Sequence, residues 1–165
     1  MLKTMVGVFF MLGLAHGARA EDATVPPAGS KLLLEADAAG VQVYVCTPSE
    51  TGENWVSAGP SASLFGAGGR EIGVHGKGPI WTLDDGSGVI GETTATAEAP
   101  EPHAVPWLLL KVKEHVGTFG ALSNVTYVRR ASTKGGVAPA DGCDAARRGD
   151  IARMRYSAVY QFYGP

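Results

Sequence analysis

The sequence predicts an all-β fold, a single-domain antiparallel β-sandwich or squat β-barrel with glycine-rich loops and one disulfide. Three observations predict it. Glycine is abundant, at 23 of 165 residues, and turn signals recur every eight to twelve residues or so between short apolar runs. Apolar residues alternate with a period of two in Gly40–Cys46 and again in Ala152–Tyr163. Two cysteines, Cys46 and Cys143, lie far apart in a chain that opens with an export-type leader.

The leader comprises residues 1–20. Lys3 supplies its positive end, Met5–Leu14 its apolar centre, and Ala18-Arg19-Ala20 a small-x-small cleavage site. The apolar centre is about half the length that a membrane-spanning helix needs. The expected mature chain therefore starts at Glu21, carries no membrane span, and is periplasmic or secreted. Residues 21–39 read as a flexible lead-in, proline-bearing at first, and residues 40–165 as the β-rich domain. Within the lead-in, Lys31–Asp37 fits a strand or a helical turn equally well.

Gly40–Cys46 is the first clear strand, with Val41, Val43 and Val45 on one face. Thr47–Glu53 reads as a polar turn, Asn54–Ala58 and Ser61–Phe65 as short strands around Gly59-Pro60, and Gly66–Gly69 as a turn. The chain then enters its densest glycine stretch, Ile72–Gly91. There Pro79–Leu83 and Val89-Ile90 flank Asp84-Asp85-Gly86-Ser87-Gly88, and Asp-Gly between apolar runs marks a tight turn. Such glycine density means that the backbone turns sharply or approaches something closely.

Thr93–His103 reads as a surface loop, and Trp107–Lys113 as a buried strand or short helix. Phe119–Leu122 with Val125–Arg129 reads as the next strand, and Ser132–Gly142 as a second glycine-rich loop. Asp144–Gly149 suits a short helical turn. In the last strand Met154, Tyr156, Ala158, Tyr160 and Phe162 share a face that should line the core. The two glycine-rich segments Gly73–Pro79 and Ser132–Gly136 are expected to meet, with His75 between them and Trp81 beneath.

Two cysteines in an exported chain predict the bridge Cys46–Cys143. A net charge of −2 offers no basic excess for nucleic acid. His75, His103 and His115 show no H-x-H, H-E-x-x-H or H-x-x-x-H spacing, so neither metal nor cofactor is expected. His75 is the chemically suggestive residue, because Asp84, Asp85 and Ser87 follow it closely. A Ser-His-Asp reading needs an acceptor behind the imidazole and a hydroxyl before it. The competing reading is stronger: Asp85-Gly86-Ser87 is turn chemistry, no G-x-S-x-G elbow is present, and His75 braces backbone carbonyls. Trp55, Trp81 and Trp107 serve either as core or as the wall of an apolar or sugar-stacking pocket.

Several motifs in order, G-V-H-G-K-G-P-I-W, D-D-G-S-G-V-I-G, V-P-W-L-L-L, V-T-Y-V-R-R-A-S-T-K-G-G and Y-S-A-V-Y-Q-F-Y, resemble those of domain of unknown function 3455. That family comprises exported bacterial and fungal proteins and plant members. The resemblance spans about Gly40 to Tyr163 and implies no established activity. Some members carry a malate-dehydrogenase label, yet this chain has no dinucleotide fingerprint. Gly76 departs from the family, whose members are expected to carry an aromatic after the histidine. The function expected is therefore a non-enzymatic binding or envelope-associated domain, its partner a small molecule, a glycan or an envelope component. The alternative is a hydrolase or other enzyme using His75 with Asp84 or Asp85.

Overall fold

The computed structural model describes residues 22–165, so the expected leader lies outside the described residues. Eight strands follow one another: β1 Lys31–Ser49, β2 Gly52–Phe65, β3 Glu71–Gly76, β4 Ile80–Leu83, β5 Ser87–Ala97, β6 Trp107–Gly117, β7 Tyr127–Gly135 and β8 Ile151–Gly164. Each pairs antiparallel with the next, and β8 pairs back onto β1 over Lys31–Val45. Of the two expected architectures, the barrel forms. Closure leaves no strand edge open to pair with another chain.

Large residues on β8 face small ones on β1, so the two inner surfaces interlock. Ala36 lies opposite Tyr160, and Gly40 opposite Tyr156. Tyr156, Tyr160 and Phe162 point inward as their alternation predicted, joined by Leu64, Trp81, Val89, Leu110, Leu122 and Val128. An eight-stranded barrel is just wide enough for its own side chains to fill. Exposed Glu35, Asp37, Lys111, Lys113, Arg153 and Arg155 occupy the outside. An apolar interior inside a charged exterior is the reverse of a lipid-facing barrel. Among the described residues no helix is long and apolar enough to cross a membrane.

Several boundaries differ from the sequence reading. Lys31–Ala39 belongs to β1 rather than to a lead-in, and Trp107–Lys113 belongs to β6. The preceding segment is pinned as well. Thr24 is fully buried, and the Asp22 carboxylate accepts from Thr24 and pairs with Arg129. On β1 the inward residues are Gln42, Tyr44 and Cys46, while Val41, Val43 and Val45 face outward and are half-buried. The expected strand at Phe119–Leu122 is a turn, β5 runs to Ala97, and β7 takes in Ser132–Gly135. A register shift between Ala131 and Lys134, with Ser132 at φ 51°, is a bulge that masks the alternation there.

Gly40 shows why glycine is needed on a wall this tightly coiled. A Cβ there would collide with the Ser61 carbonyl and the Ala62 Cα. The disulfide is formed between Cys46 and Cys143, with Cα atoms 5.4 Å apart, and ties β1 to the segment before β8.

Candidate functional site

His75 and Trp81 are cross-strand partners on β3 and β4, and both point into the barrel. The rings stack with centroids 4.5 Å apart and planes 5° from parallel. Tyr160 meets the His75 ring edge-on at 4.8 Å and the Trp81 ring at 5.4 Å. His75 Nδ1 lies 2.8 Å from the Ile80 carbonyl and donates to it, which leaves Nε2 as the lone-pair nitrogen. Burial above all, helped by the Arg130 charge, lowers the His75 pKa to about 4, although the bond to Ile80 favours the charged form. The ring is therefore neutral at pH 7, with Nδ1–H donating to Ile80 and Nε2 left as a hydrogen-bond acceptor.

That shift makes a stability prediction with a definite sign. The unfolded imidazole takes up its proton near pH 6.5, the folded one only near 4. Stability from this group is fully present above pH 6.5 and is lost as pH falls towards 4. At about 1.4 kcal/mol per pH unit the loss totals roughly 3 kcal/mol. His75→Ala should cost about 1–3 kcal/mol at pH 7, because the Ile80 carbonyl loses its donor. It should also flatten the pH slope. Urea midpoints at pH 7.5, 5.5 and 4.5 measure both effects, and an unchanged midpoint at pH 7.5 would rule out bracing.

Asp85 and Ser87 serve the turn between β4 and β5. Asp85 Oδ1 accepts from the Ser87 amide at 2.9 Å and the Ser87 hydroxyl at 2.6 Å. Its Oδ2 accepts from the Ala121 amide at 2.8 Å, and Ser87 Oγ accepts from the Leu122 amide at 3.2 Å. The bonds that Asp85 accepts from Ala121, foremost, and from Ser87 hold its carboxyl below the usual range. The Asp84 amide bonds the Ile72 carbonyl. Ile72 is three residues along β3 from His75, so the aspartates lie roughly 10 Å down the strand. Among the described residues no carboxylate bonds the His75 ring. Of the five candidate residues, the structure brings together His75 with Trp81, and separately Asp85 with Ser87.

The other histidines take structural roles or none. His115 Nε2 lies 2.9 Å from the Val125 carbonyl, and His103 sits in a loop at φ 59°. Among the described residues no cluster of three metal-ligating side chains occurs. Trp55 donates to the Asp141 carbonyl at 2.8 Å, and the Arg129 guanidinium lies 5.0 Å over Trp107. Gly73–Pro79 and Ser132–Gly136 do not meet as neighbouring loops. They belong largely to β3 and β7, which are not paired, and Tyr160 of β8 takes the place beside His75.

A groove of about 470 Å³ runs along the wall formed by β1 to β4. Ser61, Ser63, Thr82, Val74, Gly76 and His75 are among its lining residues, and none of the lining residues carries a charge at pH 7. Other depressions among the described residues are smaller, at about 160 to 220 Å³. A Cβ on Gly76 would meet only Ile80 Cγ2, at 3.7 Å. Packing therefore does not demand glycine there, and its missing side chain leaves the groove open.

The family model described as protein of unknown function (DUF3455) matches residues 27–164. The chain belongs to this family. The DUF3455 match takes in all eight strands and both cysteines. Its sequence hallmarks have clear places in the barrel. G-V-H-G-K-G-P-I-W is the β3–β4 hairpin with the His75–Trp81 stack, and Y-S-A-V-Y-Q-F-Y supplies the inner aromatic face of β8. No curated protein and no solved structure matches the chain.

Sequence reasoning missed Arg130. It stands beside Arg129 on β7, and adjacent residues of a strand point to opposite faces. One of the two arginines therefore had to turn inward, and that pairing was the available signal.

Proposed function

We propose that this DUF3455 protein is an exported, non-enzymatic binding domain that takes a neutral, hydroxyl-rich ligand such as a glycan segment of the cell envelope. The observation that carries the reading is the uncharged groove beside His75. Three hydroxyl side chains and exposed backbone offer donors and acceptors, Val74 and Ile80 offer apolar contact, and no charge favours an ionic ligand. Specific polar groups in a largely preformed depression are what small-ligand recognition uses. His75 supports the groove from within as a neutral brace. Cleavage after Ala20 and residence in the periplasm or medium fit this reading, and the Cys46–Cys143 bridge is compatible with an oxidising compartment.

Gly76→Phe tests it, because the new side chain projects into the groove without meeting a packed neighbour. Thermal melting in chito-, cello- and malto-oligosaccharides should show a saturable rise for at least one sugar. That rise should vanish in Gly76→Phe, while the sugar-free melting temperature stays within the scatter of a surface change, about 0.5 kcal/mol. A rise of equal size in both proteins, or none in the wild type, would sink the proposal.

A further inference from the structure

Phe119 is 88% exposed, the most open of the large apolar side chains among the described residues. It sits in the turn after β6, whose backbone is bonded on both sides of it. Thr118 donates to the Asp85 and Gly86 carbonyls, and the Ala121 amide donates to the Asp85 carboxylate. The Gly120 amide donates to Ser123 Oγ at 2.8 Å. A Cβ on Gly120 would collide with the Asp85 carboxylate, so this turn lies tight against the one between β4 and β5. The phenyl ring is thus held out in solvent on an anchored backbone.

A hollow of about 220 Å³ opens beside it, bounded by Asp85 and Ala121 of the same two turns. Leu34, Ile72 and Leu83 make the hollow apolar and join it to the barrel core. An apolar cavity of about 150 Å³ takes a benzene ring, so this hollow has room for a phenyl group. Phe119 of the same chain does not line it. A single exposed apolar residue means little, but an aromatic knob beside an apolar hollow forms a patch. Arg70 and Asp84 stand exposed on the rim, and neither takes part in an ion pair among the described residues.

Knob, hollow, cation and carboxylate on one surface make that surface complementary to itself. A two-fold axis repeats each contact between two copies with the roles exchanged. We infer that this end of the barrel is a dimer interface, in which Phe119 of each copy enters the hollow lined by Leu34, Ile72 and Leu83 in the other, and Arg70 meets Asp84 across the axis. The anchored turn loses little conformational freedom on docking, which favours association. A bilayer suits this end less well. It would cover Phe119 without filling the hollow, and it would draw the Asp84 charge out of water. The interface shares no lining residue with the groove beside His75, so Gly76→Phe should leave it unchanged.

Sedimentation velocity of the exported protein, from micromolar to millimolar concentration, tests the inference. The expected result is a monomer that converts reversibly to a dimer and stops there, because a two-fold interface closes on itself. Phe119→Ser removes both knobs of a dimer and should weaken association by at least about tenfold, the scale of losing a buried interface anchor. The melting temperature of the dilute monomer should stay unchanged, since the ring is exposed. Arg70→Glu should weaken the dimer by roughly tenfold by setting carboxylates against one another, and adding Asp84→Arg should restore it. A chain that stays monomeric, including one that instead sediments with phosphatidylcholine vesicles, overturns the inference. So does a dimer that Phe119→Ser leaves intact, growth beyond the dimer, or a double variant that fails to recover.

Discussion

Trp81→Ala is expected to destabilise the barrel by about 3–5 kcal/mol, the range for deleting a large buried aromatic. The side chain is 1% exposed, and its ring contacts His75, Tyr160 and Phe162. Its removal opens a cavity that β4 cannot easily close. That strand is only four residues long and is paired on both sides, with β3 and β5. For a domain of this size the loss corresponds to roughly 10 °C in melting temperature. Trp81→Phe should cost clearly less, because it retains an aromatic face and removes an indole N–H that has no acceptor. Chemical denaturation of the three proteins checks the order. Equal losses for Ala and Phe would show that shape, and not ring stacking, sets the cost.

Reduction of Cys46–Cys143 should be comparably severe. The bridge spans a sequence separation of 97. For a loop of that order the chain-entropy model gives about 4–5 kcal/mol, an upper figure because residual structure in the denatured chain lowers it. The native barrel should survive the cut. Cys46 still exchanges backbone bonds with Asp150 and Gly149, Arg148 pairs with Glu53, and Trp55 holds the Asp141 carbonyl. The expected result is therefore a large fall in melting temperature with little change in far-UV circular dichroism at 25 °C. Cys46→Ser with Cys143→Ser should reproduce it without reductant. A melting temperature unmoved by either treatment would contradict the entropic account.

The local pattern of residues was enough for much of this molecule. Alternation along Ala152–Tyr163 identified the inner aromatic face of β8, since side-chain direction in a strand depends only on parity. Asp85-Gly86-Ser87 announced its turn because Asp and Ser bond backbone groups two residues away or fewer. Cysteine count and the leader pattern sufficed for the bridge. Parity failed where a bulge interrupted it. Ser132–Gly135 resembled a loop because the register shifts between Ala131 and Lys134. It failed also on Gly40–Cys46, where the valines marked a strand but not which face turned inward.

Residue order alone was enough for the β class, the disulfide pairing, the core face of the last strand and the family motifs. Tertiary structure alone decided that the sheet closes, because closure joins Lys31–Val45 to residues more than a hundred positions later. It alone also decided the surroundings of His75. The aspartates that follow the histidine in sequence are carried down the hairpin to a turn, while Trp81 and Tyr160 come to lie against its ring. Arg130 acquires its place in the interior by the same means, through strand pairing that no local spacing encodes.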